Sequence, residues 1–192
     1  HAVGQTLGNG AIVALGDGGE LCAYTLEQTH LILDVNGYFP EPAGFTPVGP
    51  YRRIDTRNTT ELAADETRCW QIGGTGDGVP ASAKAVAINL VAIQPSATGH
   101  LIAYPYDAST PGPPGISSLN YEAGTVVANG SIVELGDDSK LCVYSLSQTN
   151  LVIDVSGYLD ASADYTPMAP FRRVDTRSGG IPLAGSTRCY QV

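Results

Sequence analysis

The sequence predicts an all-β protein built from antiparallel β-sandwich units of jelly-roll kind, and three observations carry that reading. The first is composition. Twenty-three glycines and 13 prolines among 192 residues, with only 15% charged residues, suit short strands joined by tight turns and disfavour long helices. The second is a fixed internal period. Residues 1–72 return as residues 121–192, offset by 120 with no gap, and 33 of the 72 aligned positions are identical. "GDGGELCAYTLEQTHLILDVNGYF" (Gly16–Phe39) returns as "GDDSKLCVYSLSQTNLVIDVSGYL" (Gly136–Leu159), and "FTPVGPYRRIDTR" (Phe45–Arg57) as "YTPMAPFRRVDTR" (Tyr165–Arg177). A period of this kind means that the fold is assembled from repeated units. The third is that nearly every segment between turn signals reads as strand.

Taken in order, the elements are these. "PEPAG" (Pro40–Gly44) and its counterpart "DASAD" (Asp160–Asp164) each follow an apolar strand and precede an extended "TP" dipeptide, because the residue before proline is pushed out of the helical region. These linkers divide the chain into 1–40, the C-terminal part of a unit; 41–160, a complete unit with its body from Phe45 to Leu159; and 161–192, the N-terminal part of the next. Ala83–Pro95 is β-branched and apolar, with Ala85, Ala87, Asn89, Val91 and Ile93 on one face. "SATG" turns the chain into a second strand at His100–Asp107, and Ser109–Gly115, with two adjacent prolines, is a rigid loop. Residues 118–136 give two strands around a glycine hinge, and "DDS" (or "DGG" in the first copy) makes a hairpin turn into "LCVYSL". The last strand, "TNLVIDVSGYL", places Leu151, Ile153 and Val155 on one face and Asp154, twin of Asp34, on the other. Some nine or ten strands in one unit point to the sandwich. A β-trefoil is the alternative, because 120 divides into three forties.

Composition also narrows the partners. A net charge of −9 disfavours nucleic acid, whose phosphates need clustered Lys and Arg. The chain has no apolar run long enough for a transmembrane helix. The four cysteines, Cys22, Cys69, Cys142 and Cys189, map onto each other under the repeat. They read as structural disulfides of an oxidising compartment rather than as metal ligands, since there is no C-x-x-C and the three histidines stand apart. Cys69–Cys142 would close one complete unit; Cys22–Cys69 with Cys142–Cys189 would satisfy all four at equal spacing. The unit boundary favours the first.

The sharpest motif is RR-x-DTR, at Arg52, Arg53, Asp55, Thr56, Arg57 and again at Arg172, Arg173, Asp175, Thr176, Arg177, holding six of the ten basic residues. Such clustering could clamp a carboxylate or sulfate. Strand alternation instead places Arg53, Asp55 and Arg57 (and Arg173, Asp175, Arg177) on one face, where they form an ion-pair motif or partner Asp34 and Asp154. Asp17 and Asp137–Asp138 sit where turns ordinarily use Asp, with too few oxygens for calcium. No nucleophile motif is present, and His30 becomes Asn150 in the second copy. Nothing points to a catalytic residue, a metal or a cofactor. Tyr24, Tyr38, Tyr104, Tyr106, Tyr121, Tyr144 and Tyr158 could stack on sugars, but recur at strand positions where half-buried tyrosine is ordinary packing. "NTT" (Asn58–Thr60) and "NGS" (Asn129–Ser131) match the glycosylation pattern, and the twin of the latter lacks the hydroxyl.

Together, "FTPVGPYRRIDTR", "VPASAKAVAINLVAIQPSATGHLIAYP", "SSLNYEAGTVVANGSIVELG" and "LVIDVSGYL" resemble tandem β-rich repeats of large secreted or cell-surface proteins of bacteria. The resemblance spans essentially the whole chain. It implies an extracellular, non-catalytic unit that associates with itself or with neighbouring repeats in an array, stalk or filament. The alternative is a module binding carbohydrate or cell wall.

Overall fold

The structure, a computed structural model, describes residues 7–25, 28, 30–35, 37–39, 44–109, 112–163 and 165–167. Every strand among them lies between Phe45 and Leu159: β1 (Phe45–Asp55), β2 (Glu66–Gln71), β3 (Ala85–Ile93), β4 (Gly99–Pro105), β5 (Leu119–Tyr121), β6 (Val126–Glu134), β7 (Lys140–Ser145) and β8 (Asn150–Leu159). They form two four-stranded sheets, ordered β1-β8-β3-β6 and β2-β7-β4-β5. Among the described residues the only helical pieces are 3₁₀ turns of three residues, and no helix is long and apolar enough to cross a membrane.

The strand order follows from one nested pattern. β4 pairs with β5, β3 with β6, β2 with β7 and β1 with β8, all antiparallel. The unit is therefore one long two-stranded ribbon, folded back on itself between β4 and β5. Rolling that ribbon adds the β3–β8 and β4–β7 pairings and closes each sheet. Eight strands wound in this way are a jelly roll, which replaces the threefold plan of a trefoil. Nine or ten strands were expected, and eight form. Residues 72–84, 106–109 and 112–118 are irregular, rich in Gly, Pro and Ser, and Leu62 contributes a single bridge to Thr149.

The core lies between the sheets. Val86, Ile88 and Leu90 of β3, Leu101 of β4, Leu141 and Val143 of β7, and Leu151, Ile153 and Val155 of β8 are all buried there. Their spacing of two residues is the reason: alternate side chains of a strand face opposite sides of the sheet. Ala87, Asn89 and Val91 of β3 thus point outward, as the alternation predicts. Each buried Leu, Ile or Val contributes about 1.5–3 kcal/mol relative to an exposed one.

Two local features fix the ribbon. Cys69 lies directly opposite Cys142 in the β2–β7 ladder, with Cα atoms 4.0 Å apart and a disulfide joining them. On the outer face of that sheet Ile102 and Tyr104 pack over the bond. The pairing is the within-unit one. Cys22 is a free, exposed thiol, and Cys189 lies outside the described residues. The second feature is Gly157. The pairings around it shift register, and a side chain there would strike the Phe45 ring and the Thr46 carbonyl.

The disulfide spans 73 residues of sequence, so cross-linking removes much loop-closure entropy from the unfolded chain, about 4 kcal/mol in the chain-entropy account. The Cys69→Ser, Cys142→Ser variant is accordingly expected to unfold at lower denaturant concentration in equilibrium guanidinium titrations. Reduced wild-type protein should coincide with it.

Candidate functional site

The arginine motif occupies the end of β1, which lies at one edge of its sheet beside β8. The β1–β8 register runs Arg52 opposite Asp154 and then Ile54 opposite Ile153. Arg53 is the extra residue of a bulge, and a bulge re-aims the side chains around it. The strict alternation expected for Arg53, Asp55 and Arg57 is broken here. Arg52, not Arg53, reaches Asp154 and Asp55: its Nε donates to Asp154 Oδ1 at 3.0 Å and its Nη1 to Asp55 Oδ2 at 3.4 Å. Arg53 turns the other way, towards the second sheet, where Nη2 donates to the Gln71 carbonyl at 2.6 Å and Nη1 lies 3.3 Å from Asp77. Its Nε is buried without a partner.

After Asp55 the chain enters the Thr56–Asn58 turn, and Asp55 caps it by accepting from the Arg57 backbone N–H at 3.1 Å. The Arg57 guanidinium closes on the same carboxylate with a two-pronged grip, 2.9 Å to Oδ1 and 2.6 Å to Oδ2. The Arg57 side-chain bonds hold the Asp55 carboxyl down at about 2, helped by the backbone bond and by the charge of Arg52. Thr56 does the fastening. Its hydroxyl is buried, accepts from the Leu151 N–H at 2.7 Å and donates to Asn150 Oδ1 at 3.2 Å, tying the turn to the start of β8.

Arg173, Asp175 and Arg177, the second occurrence of the motif, lie outside the described residues, and Asp34 is exposed.

Beside the motif a cleft of about 750 Å³ opens on the outer face of the β1-β8-β3-β6 sheet, floored by Arg52, Asp154 and Asn89 and overhung by residues 9–13. Asn9 spans part of it, donating to Asn89 Oδ1 at 3.2 Å and accepting from the Gly130 N–H at 2.7 Å. Arg52 bonds Asp154 and Asn9 bonds Asn89 across this cleft, while the hydroxyl of Tyr51, which also lines it, is buried without a hydrogen-bond partner among the described residues. Arg52 and Asp154 are an ion pair, so the floor carries little net charge for a ligand to read.

The remaining candidates also resolve into structure. The Tyr121 hydroxyl is buried against Ser145 and Ser147, with Ser145 Oγ 3.1 Å away. Tyr144 donates to Asp65 at 2.7 Å, and that bond, with burial second, raises its phenol above the ordinary range. Tyr104 covers the disulfide. Tyr24 and Tyr38 are exposed, unlike their packed twins Tyr144 and Tyr158. Asp137 accepts from the Ala108 N–H and Asp138 pairs with Lys140 at 2.9 Å, as turn residues do. No group of three or more His, Cys, Asp or Glu side chains among the described residues could hold a metal ion. The Asn129 amide donates to the Ser118 carbonyl at 2.8 Å, which engages it in the sheet. Sequence reasoning missed Arg68, whose guanidinium holds the Thr60 and Glu61 carbonyls at 2.7 and 3.0 Å and Glu66 at 2.8 Å. The recurring "TRC" was its signal.

The depressed Asp55 carboxyl sets a pH dependence. A carboxyl whose folded pKa lies below its unfolded value near 3.9 contributes stability that is fully present above that value and is lost as pH falls through about 2. The melting temperature of Asp55→Asn should therefore lie below wild type at pH 6, and the gap should close as both are titrated from pH 4 towards pH 2.

Comparison with known proteins adds little to this geometry. No family model matches the chain, and no curated protein matches it. Among solved structures, two of the Tobacco streak virus coat protein match at 14% identity and a TM-score of 0.37 each. One match covers 69% of this chain and 95% of that one, the other 68% and 93%. The strand order itself, rather than this likeness, establishes the jelly roll.

Proposed function

We propose that this chain is a non-catalytic structural repeat of an extracellular assembly, in which jelly-roll units pack against neighbouring repeats or further copies to build a surface array, stalk or filament. The observation that carries this reading is the fate of the arginine motif. Its charges are spent on holding the chain in place: Arg57 on Asp55 within the turn after β1, Arg52 on Asp154 of β8, Arg53 on the Gln71 carbonyl of the opposite sheet. A motif built to bind a ligand would keep unpaired donors facing a concavity; this one holds the edge strand in place.

Two further features support it. The Cys69–Cys142 disulfide suits an oxidising compartment outside the cytosol. The segment before β1 exposes a run of large apolar side chains, among them Leu31, Ile32, Leu33 and Val35, and contiguous apolar surface of this kind is a mark of association.

Negative-stain electron microscopy of the purified chain over a range of concentrations tests the reading. Sheets or fibres that grow with concentration are the expected outcome, and they should persist in Arg52→Gln, which removes an ion pair without removing a surface. Isolated globules, together with saturable retention on a polysaccharide column that Arg52→Gln abolishes, would assign the chain to carbohydrate binding instead.

A further inference from the structure

Residues 20–39 are the twin of residues 140–159, the stretch that forms β7 and β8, with 11 of 20 positions identical. The two copies stand in opposite surroundings. Val152, Ile153 and Val155 are 2%, 0% and 0% exposed, whereas their twins Ile32, Leu33 and Val35 are 82%, 60% and 79% exposed. Gly157 has the Phe45 ring pressed against it, while Gly37 faces open space. Cys142 is bonded to Cys69, while Cys22 is a free thiol. In the complete unit β1 and β2 pair with β8 and β7, and β2 supplies the disulfide partner. In the first copy the strand sequence is present and the corresponding cover is missing among the described residues.

The chain carries that cover a second time. Residues 165–192 repeat residues 45–72, with 13 of 28 positions identical, including both prolines of β1, the whole RR-x-DTR motif except its variable position, and "TRC". The described ends of the two segments lie at different edges of one sheet. Phe39 stacks on Phe45 at 5.0 Å, on the β1 edge of the sheet. Tyr165 and Pro167 line a pocket together with Val133 and Glu134 of β6, the opposite edge, roughly 14 Å away at the usual strand spacing. In the register of β1 with β8, Tyr165 would sit opposite Phe39, and within one molecule these two described residues stand at opposite edges of the sheet.

We propose that residues 20–39 of one molecule pair with residues 165–191 of a second copy of this chain, in the registers of β8 with β1 and β7 with β2, and that Cys22 of one becomes disulfide-bonded to Cys189 of the other. Transposed by 120 residues, the observed pairs Phe45–Leu159, Arg52–Asp154 and Cys69–Cys142 become Tyr165–Phe39, Arg172–Asp34 and Cys189–Cys22. The joint recreates half of each sheet, covers the exposed apolar run and, because it uses a different segment of each of the two molecules it joins, propagates head to tail. The bond needs an oxidant, and a low-molecular-weight disulfide such as oxidised glutathione supplies it. One protein thiolate attacks a glutathione sulfur and expels a glutathione thiolate; the second protein thiolate then displaces the other. Two protein thiols are oxidised, and the oxidant leaves as two glutathione thiols carrying the two protons.

The inference rests on the assembly reading above and names its joint. Its test mixes Cys22→Ser chain, which keeps Cys189, with Cys189→Ser chain, which keeps Cys22, in a glutathione redox buffer. A covalent dimer should appear on non-reducing gels of the mixture, and mass mapping of its peptides should join position 22 to position 189. Wild-type chain should give a ladder of multimers that collapses on reduction. Wild-type monomer with its own Cys22–Cys189 link, or chains whose two thiols both remain open to alkylation, would overturn the proposal. Wild-type fibres lacking the 22–189 link would leave the array reading standing and remove this joint. A linked dimer that forms no larger assembly would do the reverse.

Discussion

The pairing of β2 with β7, with Cys69 set directly opposite Cys142, is the constraint on which the rest of the unit depends. In a strand ladder a slip of one residue turns every side chain to the other face. A covalent bond between two facing positions forbids that slip. Once Cys69 and Cys142 are fixed outward, Leu141 and Val143 must point inward to the core, as they do. β7 then presents its other edge to β4, and the same ribbon carries β1 and β8 into the opposite sheet. Each sheet thus contains two of the four nested pairs, and the one pair outside the disulfide, β1–β8, takes its register from it and from the Leu62–Thr149 bridge that lies between β1–β8 and β2–β7.

The acidic character of the chain and the concentration of its arginines belong to one design. Of the charged pairs in the unit, Arg52–Asp154 joins β1 to β8, while Arg53 crosses from the first sheet to Gln71 and Asp77 beside the second. Edge strands are the places where a sandwich comes apart or joins a stranger. β1 and β2 are both edge strands, and the arginines are stationed there. Partly exposed ion pairs contribute little individually, but those anchored on backbone carbonyls, such as Arg53 on Gln71 and Arg68 on Thr60 and Glu61, fix the path of the chain as well as its charge.

Much of this was legible in the residues. The inward set of β8, the outward set of β3, the all-β class and the turn at Asp137–Ser139 follow from alternation and turn chemistry, which are local properties. The arginine motif was legible only in part. Alternation puts Arg53 beside Asp55, but the bulge in β1 hands that place to Arg52, and a bulge is a property of two strands in register, not of one. The same is true of Thr56, whose hydroxyl serves a backbone N–H 95 residues away, and of the cysteine pairing, which spacing left open. Strand number was overcounted because short apolar words in Gly- and Pro-rich loops resemble strands until a partner is required of them.

The side-by-side placement of Phe45 and Leu159, first and last residues of the rolled ribbon and direct partners in the β1–β8 ladder, has a mechanical consequence. Tension applied through the two ends of the unit would peel β1 from β8 one hydrogen bond at a time, the weak direction of a sheet, rather than shear them together. The peel would run inward only as far as Cys69 and Cys142. Beyond that point the load passes through a covalent bond, and the enclosed stretch from β3 to β6 is shielded. The unit would then yield roughly 145 Å of slack instead of the roughly 390 Å of its full contour. Such a unit gives way early, by a limited length, and recovers from an intact half: a short-travel shock absorber.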